Sequence, residues 1–190
     1  MLIKRILKEI YMDLFPKKFT IEAISERTIE RYRSYGAKIG ENVVFINVKA
    51  DVSEFSAKLL TIGDTVVITN ARILLHDAST KRELGYTKFG RITIGSHVFI
   101  GAESVILPGT TIGDKVIVGA GCVVGKDIPD NSVVIGNPCR VVCTYDEYME
   151  KMKDRMQGKV LFDGFPQDAL KEENKDLLKK MIDDGYCFTK

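Results

Sequence analysis

From residue 94 onward the chain repeats in sixes. Ile94, Ile100, Ile106, Ile112, Val118 and Val124 fall at every sixth position, and four residues after each come Val98, Ser104, Thr110, Val116, Cys122 and Ile128. Directly after each leading aliphatic stands Gly95, Gly101, Gly113, Gly119 or Gly125, with Leu107 the one exception. A helix recurs at three or four and a half-buried strand at two, so a strict six is neither alone. It suits a coil with three short strands per turn, each strand one side of a triangular column, turns stacking at the ~4.8 Å spacing of paired strands. The branched aliphatic then points to the axis and the next residue turns the corner, where glycine admits a positive φ and a close backbone approach.

The earlier half follows the rule less regularly, through Ile39-Gly40, Ile62-Gly63 with Val66 four on, Ile68, and Ile73 or Leu74. Two excursions interrupt it, near Asp51 to Leu60 and at Asp77 to Arg91, and belong on the outside of a coil, where binding groups collect. At roughly eighteen residues per turn, this predicts about four to five coils. Helical patterning flanks the coils: Phe19 to Arg33 before Gly36, Tyr145 to Gln157 with Tyr148, Met149, Met152 and Met156 on one side, and about Gln167 to Asp184. The expected organisation is a helical segment over 1–36, a β domain over 37–143 with an external loop at 77–91, and a helical extension over 144–190. Stacked strands expose unpaired edges at both ends, and the flanking helices are the elements available to cover them.

The charge balance narrows the function. With 28 basic and 26 acidic residues, net +2, no basic excess exists to neutralise a phosphate backbone, so nucleic acid is not an expected partner. The N-terminal Leu2, Ile3, Ile6, Leu7, Ile10 and Leu14 form a helical stripe broken by Lys4, Arg5, Lys8 and Glu9. That is too short an apolar run for a spanning helix or signal peptide, and the expectation is a cytoplasmic protein without an integral membrane segment. Cys122, Cys139, Cys143 and Cys187 show no zinc spacing, so no metal is expected, and Cys122 reads as a small buried filler.

The segment ITIGSHVFIGAESVILPGTTIGDKVIVGAGCVVGKDIPDNSVVIGNPCRVV closely resembles the coenzyme-binding coils and exit motif of the hexapeptide-repeat acyltransferases. The branch it is most similar to contains maltose and galactoside O-acetyltransferases and polysaccharide O-acetyltransferases. TIGDTVVITNARILLHDAS resembles that family's approach to its catalytic histidine. The resemblance covers about Ile39 to Val142 and implies a mainly β fold, a left-handed parallel β-helix with flanking N- and C-terminal α-helices. The left hand rests on the resemblance alone, because the general preference for right-handed crossovers argues the opposite.

What the resemblance implies for function is an acetyl-CoA-dependent O-acetyltransferase acting on a sugar or polysaccharide-precursor hydroxyl, working as a homotrimer with sites between subunits. His76, at a strand end and the root of an external loop, becomes the general base, and an imidazole's ordinary pKa near 6.5 leaves it neutral at cellular pH. Asp77 either orients that imidazole or caps the loop. His97 reads as a surface residue. Along the coenzyme groove the resemblance sets Ala102 and Ala120 at the pantetheine, and Gly125, Lys126 and Arg140 at the nucleotide end, with Lys126 equally an ordinary turn lysine. For the acceptor it points to Asn47, otherwise a polar ladder residue, and Asp51, otherwise a turn aspartate. Phe99, with Tyr86 and Phe89, walls the pocket or packs between subunits. Gly125 stands where the family commonly has Thr or Ser, and Cys139 where it has Ala.

Three other readings compete. N-acetylation of an amino sugar, or acetylation of a xenobiotic, uses the same coils, and a non-catalytic structural solenoid needs none of these side chains. A γ-class carbonic anhydrase needs three zinc-binding histidines, and this chain has two.

Overall fold

Every leading aliphatic of the six-residue repeat is buried: Ile94 is 1% exposed, and Ile100, Ile106, Ile112, Val118 and Val124 are fully enclosed. In the computed structural model, which describes residues 20–164 and 171–189, they line the axis of a coil. The first circuit is β1 (Lys38–Ile39), β2 (Val44–Ile46) and β3 (Lys49–Ala50); the second is β4 (Leu60–Ile62), β5 (Val67–Thr69) and β6 (Arg72–Ile73). A hairpin, β7 (His76–Asp77) and β8 (Lys88–Phe89), then leaves the coil. The third circuit is β9 (Ile92–Ile94), β10 (Phe99–Ile100) and β11 (Val105–Ile106); the fourth is β12 (Thr111–Ile112), β13 (Val116–Val118) and β14 (Val123–Val124). A partial fifth holds the Ile112–Ile128 bridge and β15 (Ser132–Ile135).

Strand stacks on strand from circuit to circuit. β1-β4-β9-β12 make sheet A, β2-β5-β10-β13-β15 the parallel part of sheet B, and β3-β6-β11-β14 sheet C. The in-register partners are the expected ones, for example Ile94 with Ile112, Ile100 with Val118 and Ile106 with Val124. Enclosing one such side chain contributes about 1.5–3 kcal/mol. The residues four positions on are enclosed too, and the polar ones are satisfied: Ser104 Oγ donates to Gly119 O (2.9 Å) and Thr110 Oγ1 to Leu107 O (2.9 Å).

The corner glycines do a different job from the expected one. Gly95, Gly101, Gly113, Gly119 and Gly125 keep ordinary φ; the positive φ falls two residues later, at His97, Glu103 and Lys115, with φ of 57°, 59° and 53°. Only the close approach holds, and it is severe. A Cβ on Gly95 would lie 2.3 Å from Asp114 Oδ1, and one on Gly113 2.1 Å from Asp130 Oδ1. Those carboxylates are the rungs of a corner ladder: Asp64 accepts from Glu41 N (2.7 Å), Asp114 from Ser96 N (2.6 Å) and Asp130 from Asp114 N (2.8 Å).

Both ends of sheet B are closed. Helix α1 (Ile21–Ser34), N-capped by Thr20, turns Ser25, Ile29 and Tyr32 inward. Ser25 Oγ accepts from Phe45 N (2.8 Å), and Arg33 donates to Ile39 O and Gly40 O (2.6–3.0 Å), so edge groups of the first circuit find partners. At the other end the cover is a strand, where helices were expected: β16 (Arg140–Thr144) folds back antiparallel on β15.

The described residues divide into two compact units, one up to Tyr145 and one from Asp146. Most of α2 (Tyr145–Met156) lies in the second, with Tyr148, Met149, Met152 and Met156 half-buried along it. This unit also holds β17 (Leu161–Phe162) paired with β18 (Phe188–Thr189), and α3 (Lys175–Asp183), around Val160 and Met181. The N-terminal stripe Leu2 to Leu14, the expected helix start at Phe19, and the residues from Gln167 to Leu170 lie outside the described residues. No described helix is long and apolar enough to cross a membrane.

Candidate active site

The second circuit ends by burying Leu75, and the next residue, His76, starts the hairpin opposite Phe89. The return strand passes close to the next circuit: Gly90 N donates to Leu75 O (3.1 Å), and a Cβ on Gly90 would meet Gly109 N at 2.4 Å. The histidine is therefore mounted on paired backbone braced by the coil, with its side chain 39% exposed. Its Nδ1 lies directly against Asp51 Oδ2. That oxygen is shielded from water. With Nδ1 turned to a carboxylate, Nε2 is the ring nitrogen left to exchange a proton with a ligand. The imidazole also lies 5.5 Å from the Phe89 ring, tilted by 35°.

Asp51 follows β3, one circuit below Leu74, and its N–H donates to Ile73 O (3.1 Å). A serine knot shapes the excursion behind it. Ser56, 1% exposed, donates from Oγ to Asp51 O (2.9 Å) and accepts from Ser53 N (2.8 Å), while Ser53 Oγ accepts from Ser56 N (3.2 Å). Between them Phe55 projects, 67% exposed, and meets Phe89 edge-on at 5.1 Å and 87°. The segment DVSEFS thus delivers both the carboxylate against the imidazole and an aromatic ring beside it. Sequence reasoning gave Asp51 an acceptor or turn role and passed over Phe55 and Ser56. The 23-residue step from Ala50 to its partner Ile73 hid the stacking that a regular eighteen would have shown.

Asp77 sits on the outer side of the hairpin. Its Oδ1 accepts from Ser79 N (2.8 Å), the loop-capping arrangement, and the group is exposed. That backbone bond, then the Ser79 side chain, holds its carboxyl below the usual range, with smaller help from Lys88 and His76. The folded pKa is depressed, so the stabilising contribution is present above the unfolded value near 3.9 and is lost as pH falls through the folded one. Titration of the Asp77 carboxyl carbon by NMR is expected to report a pKa below the ordinary one, and Ser79→Pro, which removes the donor, to return it upward.

Two grooves meet at this end of sheet C. One, of about 440 Å³, is lined by His76, Asp77, Lys88, Leu74, Leu107 and Gly125. Leu107, the break in the glycine series, stacks between Leu74 and Gly125, its N–H donating to Val124 O (2.9 Å), and gives the groove an apolar wall. The other, of about 330 Å³, is lined by Val123, Gly125, Lys126, Pro138, Cys139 and Arg140. Gly125 borders both.

The remaining candidates lie elsewhere within the chain. Asn47 donates to Asn70 Oδ1 (2.7 Å), and Asn70 to Glu103 Oε1, a polar ladder at the corner between sheets B and C. Phe99 stands on the outer face of β10, 44% exposed. Ala102 and Ala120 stack at the corner following β10 and β13, where Gly121 N donates to Ala102 O (2.8 Å), and line neither groove. His97 takes φ 57° at a corner and is exposed. No cluster able to hold a metal occurs among the described residues.

A family model described as the hexapeptide repeat of succinyl-transferase matches residues 91–126. YvoF of Bacillus subtilis, whose name assigns it provisionally to the acetyltransferases, is 36% identical over 124 residues, spanning 64% of this chain and 69% of that protein. The galactoside O-acetyltransferase of Escherichia coli is 41% identical over 117 residues, spanning 58% of this chain but only 56% of that enzyme. The crystal structure of a maltose O-acetyltransferase from Clostridium difficile superposes with a TM-score of 0.51 at 30% identity, covering 67% of this chain and 79% of that one. A coil of three parallel sheets with a carboxylate-paired histidine at its rim is therefore an acyltransferase scaffold. The chain belongs to the hexapeptide-repeat acetyltransferases.

Proposed function

We propose that this chain moves an acetyl group from acetyl-CoA to a hydroxyl of a sugar or polysaccharide precursor, with His76 as general base. The observation that carries the reading is the Asp51 carboxylate on His76 Nδ1, which commits one face of the imidazole and leaves Nε2 for the acceptor. The acceptor O–H proton passes to Nε2 as the oxygen attacks the thioester carbonyl carbon. The C–S bond breaks when the tetrahedral oxyanion collapses, and the departing thiolate takes the proton back from Nε2. Asp51 keeps the imidazole in the tautomer this needs and balances its charge when protonated.

Acetyl-CoA fits the two joined grooves: the acyl arm past Leu74 and Leu107 beside His76, the phosphates at Lys126 and Arg140 beyond Gly125. As in the family, we take the coil to be left-handed and the enzyme to be a cytoplasmic homotrimer. Self-association is supported by the outer row of sheet B, which runs Val44, Val67, Phe99 and Ile117 in register, whereas the outer row of sheet A runs Lys38, Thr61, Thr93 and Thr111. An apolar face of that extent on one sheet alone is what a subunit interface needs. It gives Phe99 an interface role and would bring Ala102 and Ala120 of one protomer toward its neighbour's groove.

The test is acetyl-CoA-dependent thiol release across a panel of neutral sugars, amino sugars and glycan precursors. Turnover with hydroxyl acceptors is expected. Turnover confined to amino sugars would move the assignment to N-acetylation, and thiol release with none would remove it.

A further inference from the structure

We infer that Phe55, with Phe89 set against it at a right angle, forms the aromatic surface on which the acceptor lies, and that the acceptor it selects is a pyranose ring stacked by its apolar C–H face on Phe55 with a rim hydroxyl at His76 Nε2. This rests on His76 acting as the base of an acetyl transfer. The observation is a continuous aromatic run from the exposed excursion to the reacting nitrogen: Phe55 against Phe89 at 5.1 Å, and Phe89 against the imidazole at 5.5 Å.

Both rings are exposed in spite of being among the largest apolar side chains on this surface, Phe55 at 67% and Phe89 at 45%. An exposed phenyl costs hydration free energy that is regained when a flat apolar surface covers it. Both are also held in place. Phe89 is fixed by its β-bridge to His76, and Phe55 by the Ser53–Ser56 knot, so little ordering remains to be done on binding.

The geometry restricts what can use the platform. A ligand on Phe55 lies one ring away from the imidazole, so its reacting hydroxyl must project from the rim of a body about one ring wide. A pyranose has that shape, with axial C–H bonds on one face and equatorial hydroxyls at the edge. An acyclic polyol offers no such face. Leu74 and Leu107 line the groove that His76 also borders, the walls assigned above to the acyl arm, and neither phenylalanine lines it. Phe55 comes from the excursion between the first and second circuits and Phe89 from the one after the second, so two irregular loops, separate in sequence, converge on one specificity element.

Saturation-transfer NMR on the full chain with the methyl glycosides of galactose, glucose and N-acetylglucosamine tests this, with glycerol as the faceless control. At least one glycoside is expected to receive saturation concentrated on the ring protons of one face. The signal should fall about tenfold in Phe55→Ala and persist in Phe55→Tyr; Phe55 is exposed enough for either change to leave the fold intact. In thiol release, the glycoside KM should rise about tenfold in Phe55→Ala, with the acetyl-CoA KM and glycerol kcat/KM within twofold. No saturation with any glycoside, an unchanged signal in Phe55→Ala, or a shift in acetyl-CoA KM instead would overturn the platform. Saturation that depends on Phe55 without any thiol release would uphold it while removing the acetyl-transfer reading. Thiol release insensitive to Phe55 would do the reverse.

Discussion

His76→Ala is expected to lower kcat for acetyl transfer by about 10²–10⁴, the usual worth of a positioned general base and equal to about 3–5 kcal/mol of transition-state stabilisation. The acceptor hydroxyl is a weak nucleophile, and without an imidazole its proton must leave to water. The acetyl-CoA KM should stay within about threefold, because the proposed contacts to the coenzyme run along Leu74, Leu107, Gly125, Lys126 and Arg140. The imidazole is 39% exposed, so the change should cost the fold little. Steady-state thiol release with coenzyme binding measured alongside is the check. Turnover at the wild-type rate in this variant would remove His76 from the chemistry.

A methyl group on Gly95 is expected to be among the most damaging single additions to the coil. It would lie 2.3 Å from Asp114 Oδ1 and 2.7 Å from the backbone carbon of Gly113. The backbone cannot move aside without breaking the β9–β12 pairing, and the carboxylate cannot without losing its 2.6 Å bond from Ser96 N. Overpacking of this kind costs about 1–3 kcal/mol, and losing the hydrogen bond from Ser96 N adds about 1 more. For a chain of this size that lowers Tm by about 4–16 °C. Gly125→Ala is the internal control, since its methyl would meet only the end of Leu107 at 3.2 Å and should shift Tm much less. Thermal unfolding of both variants decides it, and equal shifts would mean that the corner ladder does not depend on the missing Cβ.

What the sequence revealed, and what it concealed, divides along the periodicity. The sixfold recurrence from Ile94 to Val124 reports the column directly, because one inward position per strand must be aliphatic in every circuit. The corner glycines and their close backbone approach were legible, but not that the next circuit's carboxylate fills the space beside Gly95 and Gly113. The positive φ at His97, Glu103 and Lys115 was hidden because no residue type marks it consistently. β16 was missed as the closing strand since RVVCT follows the repeats without their beat.

The site divides in the same way. His76 was singled out by the resemblance of TIGDTVVITNARILLHDAS to the family's approach to its catalytic histidine. Its partner was not, since Asp51 and Phe55 lie on an excursion with no period of its own, and only the pairing of β3 with β6 brings that carboxylate to the imidazole. Asp77, the nearer aspartate in sequence, is bound instead to Ser79 N. Proximity along a chain that turns outward at a strand end is a poor guide to which carboxylate faces the ring.

The central claim is that Asp51 and His76 act as one unit, and a double-mutant cycle on kcat tests it most directly. If they do, Asp51→Ala should slow acetyl transfer on its own, yet the double variant with His76→Ala should be no slower than His76→Ala alone. If the two losses multiply instead, the carboxylate serves some purpose independent of the imidazole, and the catalytic pair described here is wrong.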